Sequence, residues 1–248
     1  MATEEQSINP PSREGSFSRV VGALVSPRKT FASIVQSPSW LLPVLLIIIV
    51  NLVLVSSFSH RIGWATLMEK QMANNSTFNQ MTPVQQQQML DRLTRYAPIG
   101  AYAGSTVGVV IILLITSLIF LLAFNIVFGT NIKFRQSFAI SAFAFMPGVV
   151  KNLLALLVVW VRPPEGVSLQ NMVMSNVGAF LPATVPPWLL TLGGLLDVFT
   201  FWSLALLAVG YAAAGSSRKV RFGSALAVVV AIWLVFVLGL VGITALRG

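Results

Sequence analysis

The sequence contains no cysteine and a single histidine, His60. Disulfides, thiol catalysis, thiolate metal sites and multi-histidine sites are thereby excluded. Charge is scarce too. Only 9% of the residues are Asp, Glu, Lys or Arg, against about 25% in a soluble domain. Apolar surface takes their place: 56% of 248 residues are hydrophobic, and the mean hydropathy is +0.82. A soluble globule of this size cannot hide so much apolar surface, and the bilayer is its natural solvent. A secreted enzyme, a cytosolic catalyst and a disordered chain are excluded together.

The few charges are lopsided, with 16 Lys/Arg against 7 Asp/Glu and a net charge of +9. The basic residues sit singly or in short clusters between apolar runs. That is the pattern of membrane topology, so no nucleic-acid partner is expected. The first 36 residues hold no apolar run long enough for the core of a signal peptide. No cleavable signal peptide is expected, and the first span serves as its own insertion signal.

A spanning helix needs about 20 mostly apolar residues. Five segments qualify: Trp40–Phe58, a stretch within Pro98–Phe128, Phe138–Val161, Pro187–Ala213 and Ser224–Leu246. The predicted fold is all-α, a polytopic bundle of five transmembrane helices with interfacial amphipathic helices. Arg13, Arg19, Arg28, Lys29, Lys133, Arg135, Arg218, Lys219 and Arg221 share one side. The other side holds Arg61, Lys70, Arg92, Arg95, Arg162 and Arg247, four of them in one long loop. Basic short connections mark the cytoplasmic side. The N-terminus is placed in the cytoplasm and the C-terminus outside.

Three regions follow. Residues 1–15 are polar and read as disordered. Residues 16–37 read as cytoplasmic interfacial helices, because Phe17, Val20, Val21 and Leu24 recur at helical spacing beside basic residues. Ser26-Pro27 supplies an N-cap and first-turn proline for a second helix carrying Phe31, Ile34 and Val35. Ser37-Pro38 repeats the device before Trp40, an interfacial aromatic. Residues 38–248 form the membrane domain, with an extracytoplasmic helical loop at 59–97. Within that loop Trp64, Leu67, Met68 and Met72 are helically spaced, and Thr82-Pro83-Val84-Gln85 matches a capping box. The alternative there is a mobile polar linker. Asn74 and Asn75 each begin an Asn-x-Ser/Thr pattern. A weakly amphipathic interfacial helix is expected over Leu169–Phe180. No internal repeat of the inverted-transporter kind is present.

Polar groups at membrane depth are the candidates for function. Lys151 lies ten residues before Val161, and Asp197 lies ten residues after Pro187. At about 1.5 Å per residue both reach a similar depth. Asn51 and Asn152 fall near that level. A lone charge there costs roughly 2.5–3.5 kcal/mol, and pairing removes much of it. Lys151 and Asp197 are therefore expected to face each other, with Asn51 or Asn152 completing the hydrogen bonds. Such a pair either fixes helix packing or serves a proton or ion relay. A third option has Lys151 snorkelling outward and Asp197 protonated. Pro147 with Gly148 predicts a kink in the third span. Gly100, Gly104 and Gly108 at four-residue spacing, and Gly193-Gly194, predict close helix approach within one chain or between two. Thr116, Ser117 and Ser141 are expected to bond a carbonyl one turn back. Catalytic and metal-binding signatures are absent, so no enzyme, cofactor or metal is expected.

Three stretches resemble a bacterial-type member of the Yip-one domain family, which implies a place in the bacterial cytoplasmic membrane. They are "LVSPRKTFASIVQSPSWLL" from Leu24, with Ser26, Pro27, Phe31 and Trp40; "SAFAFMPGVV" from Ser141, with Pro147; and "LLDVFTFWSLALLAVG" from Leu195, with Asp197, Phe199 and Trp202. The resemblance implies five membrane helices and a cytoplasmic N-terminus. For eukaryotic relatives it implies Rab-type GTPase and partner-Yip binding in vesicle traffic. This chain has a short N-terminal segment, and Phe143 or Phe145 stands where the third-span motif often carries tyrosine. The GTPase role is not carried over. The expected activity is membrane organisation or partner scaffolding, with the bilayer, a second copy or other membrane proteins as partners and no small-molecule ligand. The alternative is a small ion or solute transporter or channel using the Lys151–Asp197 pair and the Pro147 kink.

Overall fold

The structure, a computed structural model, describes residues 15–73, 75–163, 172–182 and 184–247. The expected disorder of residues 1–15 therefore lies outside the described residues save Gly15, as does Asn74. The helices are α1 Ser16–Val25, α2 Pro27–Gln36, α3 Leu41–Arg61, α4 Trp64–Met72, α5 Ser76–Asn79, α6 Pro83–Ala103, α7 Val109–Phe128, α8 Phe134–Ala144, α9 Met146–Val161, α10 Pro187–Leu195, α11 Val198–Ala214 and α12 Phe222–Arg247. One π-helical turn, Gly104–Gly108, joins α6 to α7.

Four helical stretches are long and apolar enough to cross a membrane: Leu41–Arg61, Pro83–Phe128, Phe134–Val161 and Phe222–Leu246. The expected fourth span, Pro187–Ala213, is instead two shorter helices divided at Leu196-Asp197. Large apolar residues face outward along the bundle; Leu157, Val161 and Val235 are 63%, 81% and 71% exposed. In water such a surface would drive association, whereas lipid covers it at no cost.

The bundle's main core gathers Phe31, Phe124, Ile140, Phe143 and Tyr211, all fully buried. The rings of Phe124 and Tyr211 stack at 4.5 Å. Ser137 donates its one hydroxyl proton to the Ser117 carbonyl. Tyr211 therefore donates to Ser137, and the core hydroxyls form a directed chain. The helix α2 packs into this core against α8 and α11 instead of lying free in the interface. Its reason is Gly210, where a methyl group would run into Ile140 Cγ2 and meet Phe31 Cδ1 at 2.9 Å.

In α1 Phe17, Val21 and Val25 point outward while Val20 and Ala23 are buried. Arg19 is turned inward, 7% exposed, donating to the Ser37 carbonyl at 2.9 Å, Ser37 Oγ at 2.7 Å and Ser39 Oγ at 3.1 Å. Its neighbours are thus in the linker to α3, so this basic residue of the expected interfacial helix is taken up by the fold. The expected caps at 26 and 37 fail. The Ser26 side chain makes no capping bond, although Pro27 does open α2. The helix α3 begins at Leu41 with Trp40 in the cap position. Trp40 packs edge-on against Phe138, centroids 5.3 Å apart.

Thr82 and Gln85 form a reciprocal capping box that starts α6. The helix then runs through Pro98 and the π-helical turn into α7, 46 residues without a break. That is roughly 69 Å at 1.5 Å per residue, against a hydrocarbon core of about 30 Å. Pro98 fails to stop it because Leu90, Leu93 and Ala97 pack on a second small core of Leu54, Phe58, Leu67, Met68, Ala155 and Val159. Replacing Thr82 by Ala removes the acceptor of the Gln85 N–H and costs about 1 kcal/mol locally. Amide exchange at Gln85 is expected to accelerate while the membrane helices stay protected.

A candidate intramembrane polar site

The site forms where two helices are interrupted. In the third span Phe145 breaks the α-helical run, and Pro147 occupies the first turn of α9. A proline there lacks only an N–H that the first turn leaves unpaired anyway. The kink expected at Pro147 and Gly148 is thus a restart between α8 and α9. In the fourth segment Asp197 is the N-cap of α11, where the sequence reading had it inside a continuous helix.

The first N–H groups of α11 are fully accounted for. Val198 N donates to the Ser175 carbonyl at 3.0 Å. Phe199 N and Thr200 N donate to Asp197 Oδ1 at 2.9 and 3.2 Å. Phe201 N donates to the Asp197 carbonyl at 3.0 Å. The other carboxylate oxygen, Oδ2, accepts from Lys151 Nζ at 2.9 Å and from Ser175 Oγ. Asp197 is 2% exposed, whereas the Lys151 side chain is 34% exposed. Irregular backbone at membrane depth survives only where protein satisfies it, and here one aspartate and one loop do so.

That loop was not foreseen. Residues 164–171 lie outside the described residues, and 172–180 form no α-helix. Asn176 pairs with Asp197 in an isolated antiparallel bridge. Val177 N donates to the Leu196 carbonyl at 3.2 Å. Asn176 Oδ1 then accepts from Ala179 N at 2.9 Å and starts a single 3-10 turn, Val177–Phe180. This turn lies on α10 backbone to backbone. A methyl group at Gly193 would meet Gly178 Cα and N at 2.8 Å. Ser175, Asn176 and Gly178 are the functional residues that sequence reasoning missed. The adjacent Ser-Asn in an apolar run was the available signal, but Met172, Met174, Val177 and Phe180 mimic helical spacing.

The asparagines do not complete the ion pair. Asn152 Nδ2 donates to Asn51 Oδ1 at 3.0 Å, and Asn51 Nδ2 to the Ile47 carbonyl at 2.8 Å. They tie α3 to α9 separately, because each has an amide partner of its own. Gly100, Gly104 and Gly108 do not mediate close approach within the chain. A methyl group at the first two would meet nothing within 4 Å, and at Gly108 only the Ala103 carbonyl at 3.9 Å. Ser117 bonds the Leu113 carbonyl one turn back, whereas among the described residues Thr116 and Ser141 bond no such carbonyl, and Ser141 faces the Tyr211 hydroxyl instead.

Beside the ion pair, α7, α9, α11 and α12 enclose a cavity of about 660 Å³, open on one side. Its wall carries Lys151, Asp197 and Phe199, while Trp202 packs on the main core. Among the described residues no group of three His, Asp or Glu side chains lies close enough to hold a metal ion.

Helical content, lipid-facing apolar surface and buried intramembrane polar bonds define an all-α, multi-pass membrane protein. The Yip1 domain matches residues 21–243, and the chain belongs to that family. Phe31, Trp40, Pro147, Asp197 and Phe199 lie inside this match. No curated protein and no solved structure matches the chain.

Proposed function

We propose that the chain is a non-enzymatic scaffold of the bacterial cytoplasmic membrane, in which α10 and α11 together make a fifth crossing. The observation that carries this reading is the closed hydrogen-bond shell of Asp197. Both carboxylate oxygens are committed, to two helix-capping N–H groups, a serine and Lys151. A relay needs a carboxylate free to exchange protons and a second one to receive them. Among the described residues the other carboxylates are Glu69 and Asp91, both in the 59–97 loop.

The rival reading, a small transporter or channel gated at the Pro147 break, draws on the cavity next to the pair. The walls of that cavity are mostly apolar, with its charges confined to one neutral pair, which argues against an ion path. Orientation follows from charge. Arg19, Arg28, Lys29, Lys133, Arg135, Arg218, Lys219 and Arg221 lie in the segments at one end, which among the described residues carries no acidic side chain. That end is assigned to the cytoplasm, where anionic lipid attracts it, and it is the surface offered to protein partners.

Liposomes containing the protein are expected to pass protons, sodium and potassium no faster than empty ones. Flux above that baseline that vanishes in a folded Lys151→Met/Asp197→Asn variant would overturn the scaffold reading in favour of transport.

A further inference from the structure

The cavity beside the ion pair contains polar groups that the fold leaves unused. Several hydroxyls in the apolar helices bond their own backbone: Ser105 to Ala101, Thr106 to Tyr102, Ser117 to Leu113, Thr191 to Pro187 and Thr244 to Val241. This is the ordinary way to satisfy a hydroxyl where water is absent. Thr116, Thr200 and Ser203 make no such bond, and unlike the unbonded Ser141 of the main core they face a cavity. All three line the cavity, and among the described residues no hydrogen bond satisfies their hydroxyls. Lys151 has three ammonium protons, of which one is used, on Asp197. Unsatisfied donors therefore converge on a space bounded by Phe145, Phe199, Trp233 and Phe236.

The chemistry of an occupant follows. The Lys151–Asp197 pair is already neutral. An anionic head would have to displace a carboxylate held by three other donors, and a cationic head would face the ammonium. An uncharged acceptor fits both the pair and the hydroxyls. Depth narrows the choice. Lys151 stands ten residues, about 15 Å, from the end of its span at Val161, and phospholipid head groups sit roughly 15 Å from the bilayer centre. The polar part of the occupant must travel into the hydrocarbon. Aromatic walls favour a flat ring that packs edge or face against them.

We infer that this cavity binds a quinone-type lipid, a flat ring whose carbonyl oxygens accept from Lys151 and the Thr200 or Ser203 hydroxyl, with an apolar tail leaving through the open side. Binding alone is inferred, with no electron transfer. This goes beyond the scaffold reading and can fail independently of it, because it is read by binding and not by flux.

The test uses the purified full chain in detergent micelles and decylubiquinone as probe, followed through quenching of tryptophan emission. Saturable quenching is expected, with a smaller amplitude in Trp233→Phe. The apparent affinity is expected to weaken at least tenfold in Thr200→Val/Ser203→Ala, which removes only unbonded hydroxyls and leaves helix content unchanged. Lys151→Met/Asp197→Asn is expected to weaken it as well. Quenching that rises linearly with the quinone-to-detergent ratio, or is equal in all variants, overturns the inference. So does displacement of the probe by dioleoylglycerol or oleic acid as effective as by a second quinone, since the cavity then takes any acyl chain.

Discussion

Replacing Asp197 by Asn is expected to lower the unfolding free energy by about 3 kcal/mol, and Lys151→Met by only about half as much. The asymmetry comes from geometry. Asparagine is a good N-cap and keeps the bonds from Phe199 N and Thr200 N. Its amide nitrogen, however, replaces the oxygen that accepts from Lys151 and Ser175. The amide and the ammonium, donors both, are then pointed at each other inside a bundle, while Ser175 can turn its proton to the Val173 carbonyl. In Lys151→Met the carboxylate still accepts from Ser175 and two backbone groups, so the loss is smaller. The double variant Lys151→Met/Asp197→Asn is expected to recover most of the difference, because the unpaired cation is gone. Thermal or denaturant unfolding of the four proteins in one detergent closes the cycle. Equal costs for the two single changes would mean that the capping bonds contribute nothing and that charge alone matters.

A symmetric ion pair tolerates exchange of its members; this one does not. Lysine at position 197 has no acceptor for the first N–H groups of α11. The charge-reversed variant Lys151→Asp/Asp197→Lys is accordingly expected to be at least as unstable as Asp197→Asn.

The depth arithmetic made the pairing of residues 151 and 197 legible in the sequence, since it depends only on residue counts along two apolar runs. The asymmetry was not legible, because it depends on Asp197 ending one helix and starting another. Nothing in "LLDVFT" separates an aspartate inside a helix from one at an N-cap, for apolar residues flank both. The four long apolar stretches were readable for the same reason that the division at Leu196-Asp197 was not. A run of twenty apolar residues reports solvent, while a break within it reports hydrogen bonds made to a distant loop. Pro98 misled in the opposite direction. Proline lowers helix propensity locally, but packing of Leu90, Leu93 and Ala97 on the α4 side carries the helix past it. Likewise Gly100, Gly104 and Gly108 matched a packing pattern that no neighbour fills, while Gly178, outside any motif, makes the closest backbone contact.

That contact gives the second large effect. Gly193→Ala puts a methyl group 2.8 Å from Gly178 Cα and N. Both are backbone atoms, so no side chain can rotate away. Either α10 or the 3-10 turn must move, at a cost of about 3 kcal/mol on the scale of overpacked cores. The neighbouring change supplies its own control. At Gly194 a methyl group meets nothing within 4 Å, and Gly→Ala in a helix stabilises by roughly 0.5–1 kcal/mol. The midpoint of thermal unfolding is expected to fall in Gly193→Ala and to hold or rise in Gly194→Ala. The effect reaches the ion pair as well, because Ser175 lies three residues before Gly178 and donates to Asp197. If the turn is pushed off α10, that bond and the bridge at Asn176 are weakened. The Asp197→Asn penalty is then expected to shrink in the Gly193→Ala background. Additive penalties in the double variant would mean that the glycine contact and the charged site are separate devices, and that the loop reaches Asp197 without help from its packing on α10.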